Sequence, residues 1–324
     1  MMKPISAIVW AATMASIAAA NAQGYPSRPI TMVVPYAAGG PTDTIARIMA
    51  ERMRGPLGQT IIVENVTGAA GTIGVGKVAR AAPDGYTIGI GHWGTHVVNG
   101  AIYALQYDVL SDFEPVAMIA TNPQLIVARK GVPAKDLKEL VAWLKANSAK
   151  ATQGTAGHGS ASHISGVYLQ NITGAQFQFV PYRGAGPAMQ DLVAGQIDLA
   201  CLEAGQTLAL YRAGSIKAFG VMNEKRWFAA PDVPAVEEAG LPGVQFPFWH
   251  GLWAPKDTPK DVVAKLTAAV VGALADPAVK KRFNELGHDV AAREQQTPAA
   301  LAAYFKAEID KWWPIIRAAN IKAE

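Results

Sequence analysis

The sequence predicts an α/β protein with mainly parallel sheet. Apolar, β-branched runs alternate with helix-spaced patterns along the whole chain, and four of the runs empty into glycine loops. Charged residues make up only 17 % of the chain, below the roughly 25 % of an average globular protein, which suits a large, compact core.

The first strand, Ile30–Val34, leads into a turn carrying Gly39 and Gly40. Ile45, Ile48, Met49 and Met53 then recur at the spacing of one helix face, giving a helix over Thr42–Met53. Strands follow at Ile61–Glu64, Thr87–Gly91, Val116–Ile119 and Leu125–Ala128, then a helix at Leu137–Asn147. Next come the strand Ala151–Gly154, the helix His163–Asn171, the strand Phe177–Val180, the helix Ala188–Ala194, and the strands Ile197–Cys201 and Ile216–Met222. Helices at Pro259–Leu274, Ala278–Leu286 and Pro298–Ala319 complete the pattern, with Gly195 and Gly287 standing where left-handed helix caps are expected.

Residues 1–22 read as a signal peptide. Lys3 gives a short charged start, Ile5 to Ala20 an apolar run, and Ala20-Asn21-Ala22 a small-residue cleavage site. Gly24, Pro26 and Pro29 follow at once and would end a core helix there. The mature chain is expected to start near Gln23, outside the cytoplasm, and to be soluble, since no later stretch has the length and apolarity of a membrane span. Without Lys3 the chain keeps 28 basic residues against 25 acidic, a net of +3 with no basic block, so no nucleic-acid partner is indicated. The single cysteine, Cys201, excludes an internal disulfide and ends an apolar run that marks it as buried. A mature length near three hundred residues fits two domains.

The glycine loops are Pro35–Pro41, Gly89–Gly94, Gly154–Ser160 and Arg183–Pro187. In open parallel sheets such loops converge on a cleft outside the carboxyl ends of the strands. In the first loop the backbone N–H groups of Tyr36, Ala38, Gly39 and Gly40, with those of the following helix's first turn, can approach an anion closely. Asp43 either bonds the free N–H groups of that turn or meets a cationic part of a ligand. The loop from Gly154 to His163 supplies Thr155, Ser160 and Ser162 among its glycines, and hydroxyls and amides recognise a carboxylate without a buried cation. Ser160 or Ser162 can equally cap the next helix. Arg183 can clamp a carboxylate or pair with Glu203 or Asp191, and Glu203 follows a strand end that would face the same cleft.

Rival chemistries find little support. Gly89-Ile90-Gly91-His92-Trp93-Gly94 has the spacing of a dinucleotide fingerprint, but no clean helix follows and no strand-borne acid stands at the required distance. His92 with His96, and His158 with His163, lack a third ligand of metal-site spacing. No G-x-S-x-G is present, so an exported hydrolase or dehydrogenase is the weaker reading. Trp93, Trp249 and Trp253 flank glycines at loop-like positions, whereas Trp312 and Trp313 fall in a terminal amphipathic helix.

An ordered set of short motifs carries a family resemblance. It comprises Tyr25-Pro26-Ser27-Arg28-Pro29-Ile30, Pro35-Tyr36-Ala37-Ala38-Gly39-Gly40-Pro41-Thr42-Asp43, Asn65 with Gly68-Ala69-Ala70-Gly71-Thr72-Ile73-Gly74, and Pro83-Asp84-Gly85-Tyr86-Thr87. It continues through Asp112-Phe113-Glu114-Pro115-Val116, Gly159-Ser160 with His163, Pro181-Tyr182-Arg183-Gly184, Gly195-Gln196-Ile197-Asp198 and Ala254-Pro255. From end to end the chain resembles the periplasmic solute receptors of the tripartite tricarboxylate transporters, often called Bug receptors.

The resemblance implies a type II periplasmic binding-protein fold, two α/β lobes with mostly parallel sheets joined by crossings near 119–125 and 220–226. Lobe 1 would hold 23–122 and 223–324, and lobe 2 123–222. It implies that a ligand carboxylate is gripped by Tyr36, Ala38, Gly39, Gly40, Thr42 and Asp43 from one lobe and by Thr155, His158, Gly159 and Ser160 from the other. Trp93, His163, Arg183, Gly184 and Glu203 complete the candidate set. Neither cofactor, metal nor catalysis is implied. The expected protein is a monomer in the periplasm of a Gram-negative bacterium, handing its ligand to membrane transporter subunits or to a sensor kinase. Ligands in this family range from tricarboxylates and dicarboxylates to amino acids, nicotinate and aromatic dicarboxylates, and His92, Trp93 and Trp249 make an aromatic carboxylate a candidate. Val167 departs from the glutamate many relatives carry there, and Glu203 lies in a loop that varies with ligand.

Overall fold

The computed structural model describes residues 24–148, 150–318 and 320–321. The expected signal peptide, 1–22, lies outside the described residues. In chain order the elements are β1 (Ile30–Val34), α1 (Pro41–Leu57), β2 (Ile61–Asn65), α2 (Thr72–Ala79), β3 (Thr87–His92), α3 (Asn99–Ile102), β4 (Phe113–Arg129), α4 (Leu137–Ala146), β5 (Thr152–Thr155) and α5 (Ala161–Thr173). Then follow β6 (Gln178–Pro181), α6 (Ala185–Ala194), β7 (Leu199–Glu203), α7 (Ala204–Arg212), β8 (Ile216–Val221), β9 (Pro247–Pro255), α8 (Lys260–Ala275), α9 (Pro277–Glu285), β10 (Asp289–Val290) and α10 (Pro298–Ala318).

One strand belongs to both halves of the sheet, whose order is β2-β1-β3-β9-β4-β7-β5-β6. Up to Pro123, β4 pairs antiparallel with β9, and β10 adds to its other side. From Gln124 onward the same strand pairs antiparallel with β7 and β8. Away from β4 and β9 the pairs β1–β2, β1–β3, β5–β6 and β5–β7 are parallel, as alternating strands and crossover helices require. The two strands expected at Val116–Ile119 and Leu125–Ala128 are thus one. Pro123 stands where β4 changes partners, the place at which a missing N–H disturbs the ladder least.

Each half carries its own helical cover. Ile30, Met32 and Ile88 pack under Ile45, Met49 and Met53 of α1 and Leu266, Val270 and Leu274 of α8, all fully or almost fully buried. Leu125, Val127, Leu202 and Val221 pack with Leu192 of α6, Leu208 of α7 and Trp227. A third cluster joins Trp249 and Trp253 of β9 to Phe305, Ile309 and Trp312 of α10 and continues to Phe246, Ile164 and Leu169. β9 was missed in the sequence because Phe248, Trp249, Leu252 and Trp253 bury apolar groups on both of its faces, so the alternation of a half-exposed strand is lacking. Trp249 and Trp253, read as loop residues, are core side chains of that strand.

Candidate binding site

Gly40 is the residue before α1, with Pro41 opening the helix and Gly39 in the left-handed region at φ +84°. The loop is held from beneath by Asp43. Its Oδ2 accepts from the Gly39 N–H at 2.8 Å and Arg47 Nε at 2.9 Å, while Oδ1 accepts from Arg47 at 3.0 Å and Asn65 Nδ2 at 2.9 Å. Burial would raise this carboxyl's pKa, but the hydrogen bonds from Arg47, Gly39 and Asn65 and the Arg47 charge hold it below the ordinary value. With two donors on each oxygen, Asp43 shapes the loop, and the Gly39 N–H is not a free donor. Asn65 also donates to the Tyr36 carbonyl at 2.9 Å. Asn65, part of a motif noted in the sequence, gains this role from the pairing of β2 beside β1.

Beneath this loop, at the carboxyl end of β3, lies His92. Its ring stacks on Tyr36 with centroids 4.9 Å apart and planes 11° apart, and Phe248 packs against it at 4.8 Å. His92 Nδ1 accepts the Gly94 N–H at 2.9 Å, so the neutral ring carries its proton on Nε2. The buried hydroxyl of Thr42 lies 3.2 Å from His250 Nε2 on neighbouring β9. Desolvation lowers the His92 pKa to about 3, and desolvation with nearby His92 and His288 holds His250 well below its ordinary value. Trp93 turns the other way. It is fully buried between Phe246 at 4.4 Å and Trp312 at 5.3 Å, because the chain enters a π-helical turn at Gly94–Val98, so it does not face the cleft.

The opposing loop follows β5. Gly157 and Gly159 have φ of +118° and +69°, which only glycine adopts readily. Ser160 caps α5 by accepting the His163 N–H at 3.3 Å and shares a 2.9 Å hydrogen bond with Ser162. The Gly159 N–H donates to His163 Nδ1 at 3.0 Å, and the His158 ring leans on His163 at 4.5 Å. Thr155 is buried beneath the loop. A Cβ on Gly159 would stand 2.1 Å from the Ile102 side chain, so this loop lies against the end of α3.

Arg183 is exposed and has no partner among the described residues, since Asp191 takes the Tyr182 hydroxyl at 2.6 Å and Glu203 lies elsewhere. Gly184, at φ +112° and with nothing within 4 Å of its Cβ position, leaves space beside it. Glu203 is buried at the end of β7, accepting from Asn122 at 3.2 Å and Gln206 at 3.1 Å. These donors tie it to Asn122 of β4 and Gln206 of α7. Val167 also lies away from the loops, lining a cavity of about 10 Å³ with Tyr168, Ile315 and Ile316. No group of three or more metal-ligating side chains comes together among the described residues.

Two sets of parallel strands with crossover helices threaded by a shared strand, with glycine loops following β1 and β5, fit an extracytoplasmic solute-binding protein. Residues 45–321 match the model of the tripartite tricarboxylate transporter family receptor, and the chain belongs to that family. A curated relative from Agrobacterium vitis, the UPF0065 protein of the TAR-I ttuE-ttuC' intergenic region, is 42 % identical over 97 % of this chain and 91 % of its own. Among solved structures, the periplasmic binding protein BugD matches with a TM-score of 0.85 at 41 % identity, covering 93 % of this chain and all of that one. MatC from Rhodopseudomonas palustris with bound malate matches at 0.84 and 42 %, over 90 % of this chain and 100 % of its own. Rpa4515 of R. palustris with adipate matches at 0.85 and 31 %, over 92 % and 99 %. The protein is a periplasmic receptor of the tripartite tricarboxylate transporter family, similar to a solved periplasmic binding protein and to a solved receptor holding malate.

Proposed function

We propose that the receptor takes a short aliphatic dicarboxylate, of the kind bound by MatC and Rpa4515, between the 36–43 and 155–160 loops. The approach of Gly159 to Ile102 supports this reading, because it sets the 155–160 loop against α3, which follows the carboxyl end of β3 in the other half of the sheet. Backbone N–H groups of Tyr36, Ala38, Gly40, Thr42 and His158 supply neutral donors for one carboxylate, with the Ser160 N–H engaged by the Gly157 carbonyl at 3.1 Å. Arg183, unpaired beside Gly184, is the cation for the second. Neutral donors suit a receptor that must also release its ligand, since they recognise charge without a buried ion pair.

The proposed lobes are 23–122 with 223–324, and 123–222. The change of β4 partners at Pro123 supports the first crossing, and the return falls between β8 and β9. The receptor works as a monomer after removal of 1–22, and its closed form is what membrane subunits, or a sensor kinase, would read. Thermal shift and calorimetry with succinate, L-malate, adipate, citrate and terephthalate test the reading. One-to-one binding of a dicarboxylate without turnover supports it. Preference for citrate or terephthalate overturns the dicarboxylate assignment, and turnover of any of them overturns the receptor.

A further inference from the structure

We propose that His92 determines specificity, presenting its Nε2–H from the floor of the cleft as a neutral hydrogen-bond donor to a ligand carboxylate oxygen. This rests on the carboxylate-receptor reading and adds to it a residue outside the two glycine loops. Aromatic rings pack around His92. Tyr36 covers one face in near-parallel stacking, and Phe248 packs against the ring at 4.8 Å. His250 meets it edge-on at 5.5 Å.

The Nδ1 edge is fixed by the Gly94 N–H at 2.9 Å, and a Cβ on Gly94 would lie 2.8 Å from the ring, so no bulkier residue could hold that position. An Nδ1 that accepts leaves the proton on Nε2 in the neutral imidazole. Nε2 has no partner among the described residues, yet it is absent from the sealed, unpartnered polar atoms that include His96 Nε2 and His250 Nδ1. His92 is 8 % exposed, and Nε2 is its one unpartnered polar atom.

The position of His92 gives this atom a purpose. His92 ends β3, where the carboxyl ends of the strands meet the cleft, and Tyr36, which stacks on it, belongs to the first glycine loop. Burial keeps the imidazole uncharged, with a pKa lowered to about 3, so it donates at every pH the periplasm presents without the desolvation of a cation. Packed on its faces and pinned at Nδ1, the ring cannot swing to follow a differently shaped ligand. A rigid donor of this kind rejects a ligand lacking an acceptor at that point, because the N–H is then left unpaired.

The test compares His92→Phe, which keeps a ring between Tyr36 and Phe248, with His92→Gln, which returns an N–H near the Nε2 position. Calorimetry uses whichever of succinate, L-malate, adipate, citrate and terephthalate the wild type binds most tightly. We expect His92→Phe to raise Kd roughly ten- to hundredfold and His92→Gln to recover most of that loss. In the wild type, imidazole ¹⁵N spectra should show the Nε2–H form, with its proton resonance moving at saturation. A folded His92→Phe protein of unchanged affinity, or an Nε2–H signal unmoved at saturation, overturns the proposal while the receptor reading stands. Failure of the wild type to bind all five compounds overturns both.

Discussion

Glu203 Oε1 and His288 Nδ1 approach to 3.6 Å in the buried crossing between the two sheets, and they do not make an ion pair. Asn122 Nδ2 donates to both, at 3.2 and 3.0 Å, and an imidazole nitrogen that accepts from an amide is unprotonated. Desolvation pushes Glu203 up to about 7 and His288 down to about 4, so both are driven toward neutrality. The chain crosses between its sheets on a hydrogen-bonded contact in which burial disfavours both charges.

A stability profile follows from that contact. Glu203 has a folded pKa above its ordinary 4.5, so the native state holds the extra proton, and stability falls as pH rises from 4.5 through about 7. His288 acts in the opposite direction, its contribution being complete above 6.5 and lost as pH falls toward about 4. Glu203→Gln should remove the alkaline loss, making the variant more stable relative to wild type near pH 8 than near pH 5 by about 1–3 kcal/mol. Urea denaturation at the two pH values measures this, and a constant difference would contradict it.

Asp43 should matter more for the loop than Arg47. Asp43→Ala leaves the Gly39 N–H and Asn65 amide without their buried acceptor and should cost about 2 kcal/mol of stability together with a loss of carboxylate affinity. The Arg47 side chain is 53 % exposed, so Arg47→Ala should cost less than about 1 kcal/mol. Thermal denaturation of both variants separates the two effects, and equal losses would show that the ion pair, not the buried acceptor, fixes the loop.

Valine substitutions distinguish backbone conformation from close approach. Gly39 has φ +84°, so Gly39→Val should lower stability by roughly 1–2 kcal/mol and disturb binding through the loop's shape. Gly40 is extended at φ −77°, and the nearest atom to its Cβ position is the Ala37 carbonyl at an ordinary 3.6 Å. Gly40→Val should therefore fold almost as wild type yet bind carboxylate much more weakly. Unchanged affinity in a stable Gly40→Val protein would remove that residue from the site.

The first loop and α1 were legible because two glycines sit between a β-branched run and a period-3.6 pattern, signals that act within a few residues. The second loop announced itself likewise through Gly157, Gly159 and the Ser160 cap. Asp43's role was hidden because its acceptors' partners come from Gly39, Arg47 and Asn65 together, the last brought in only by sheet pairing. Trp93 was misplaced for a related reason. A tryptophan beside glycines looks like a loop residue until the π-helical turn directs it into the core under Trp312. Phe248 and His250, which complete the floor, lie on the one long strand whose apolar residues occupy both faces.

Closure of the proposed lobes should depend on the space between Gly159 and Ile102. Ligand donors divided between two loops favour the closed state, so saturating ligand should lower the radius of gyration in solution scattering. Gly159→Ala would place a methyl group 2.1 Å from the Ile102 side chain, in a residue already at φ +69°. The variant should bind weakly and stay open at ligand concentrations that close the wild type. Adding Ile102→Ala makes room for the methyl group but leaves the backbone strain. The double variant should therefore recover part of the closure and affinity, with the two substitutions strongly non-additive, as contacting residues are. Additive effects in the two measurements would mean that the loops do not meet at this point when ligand binds.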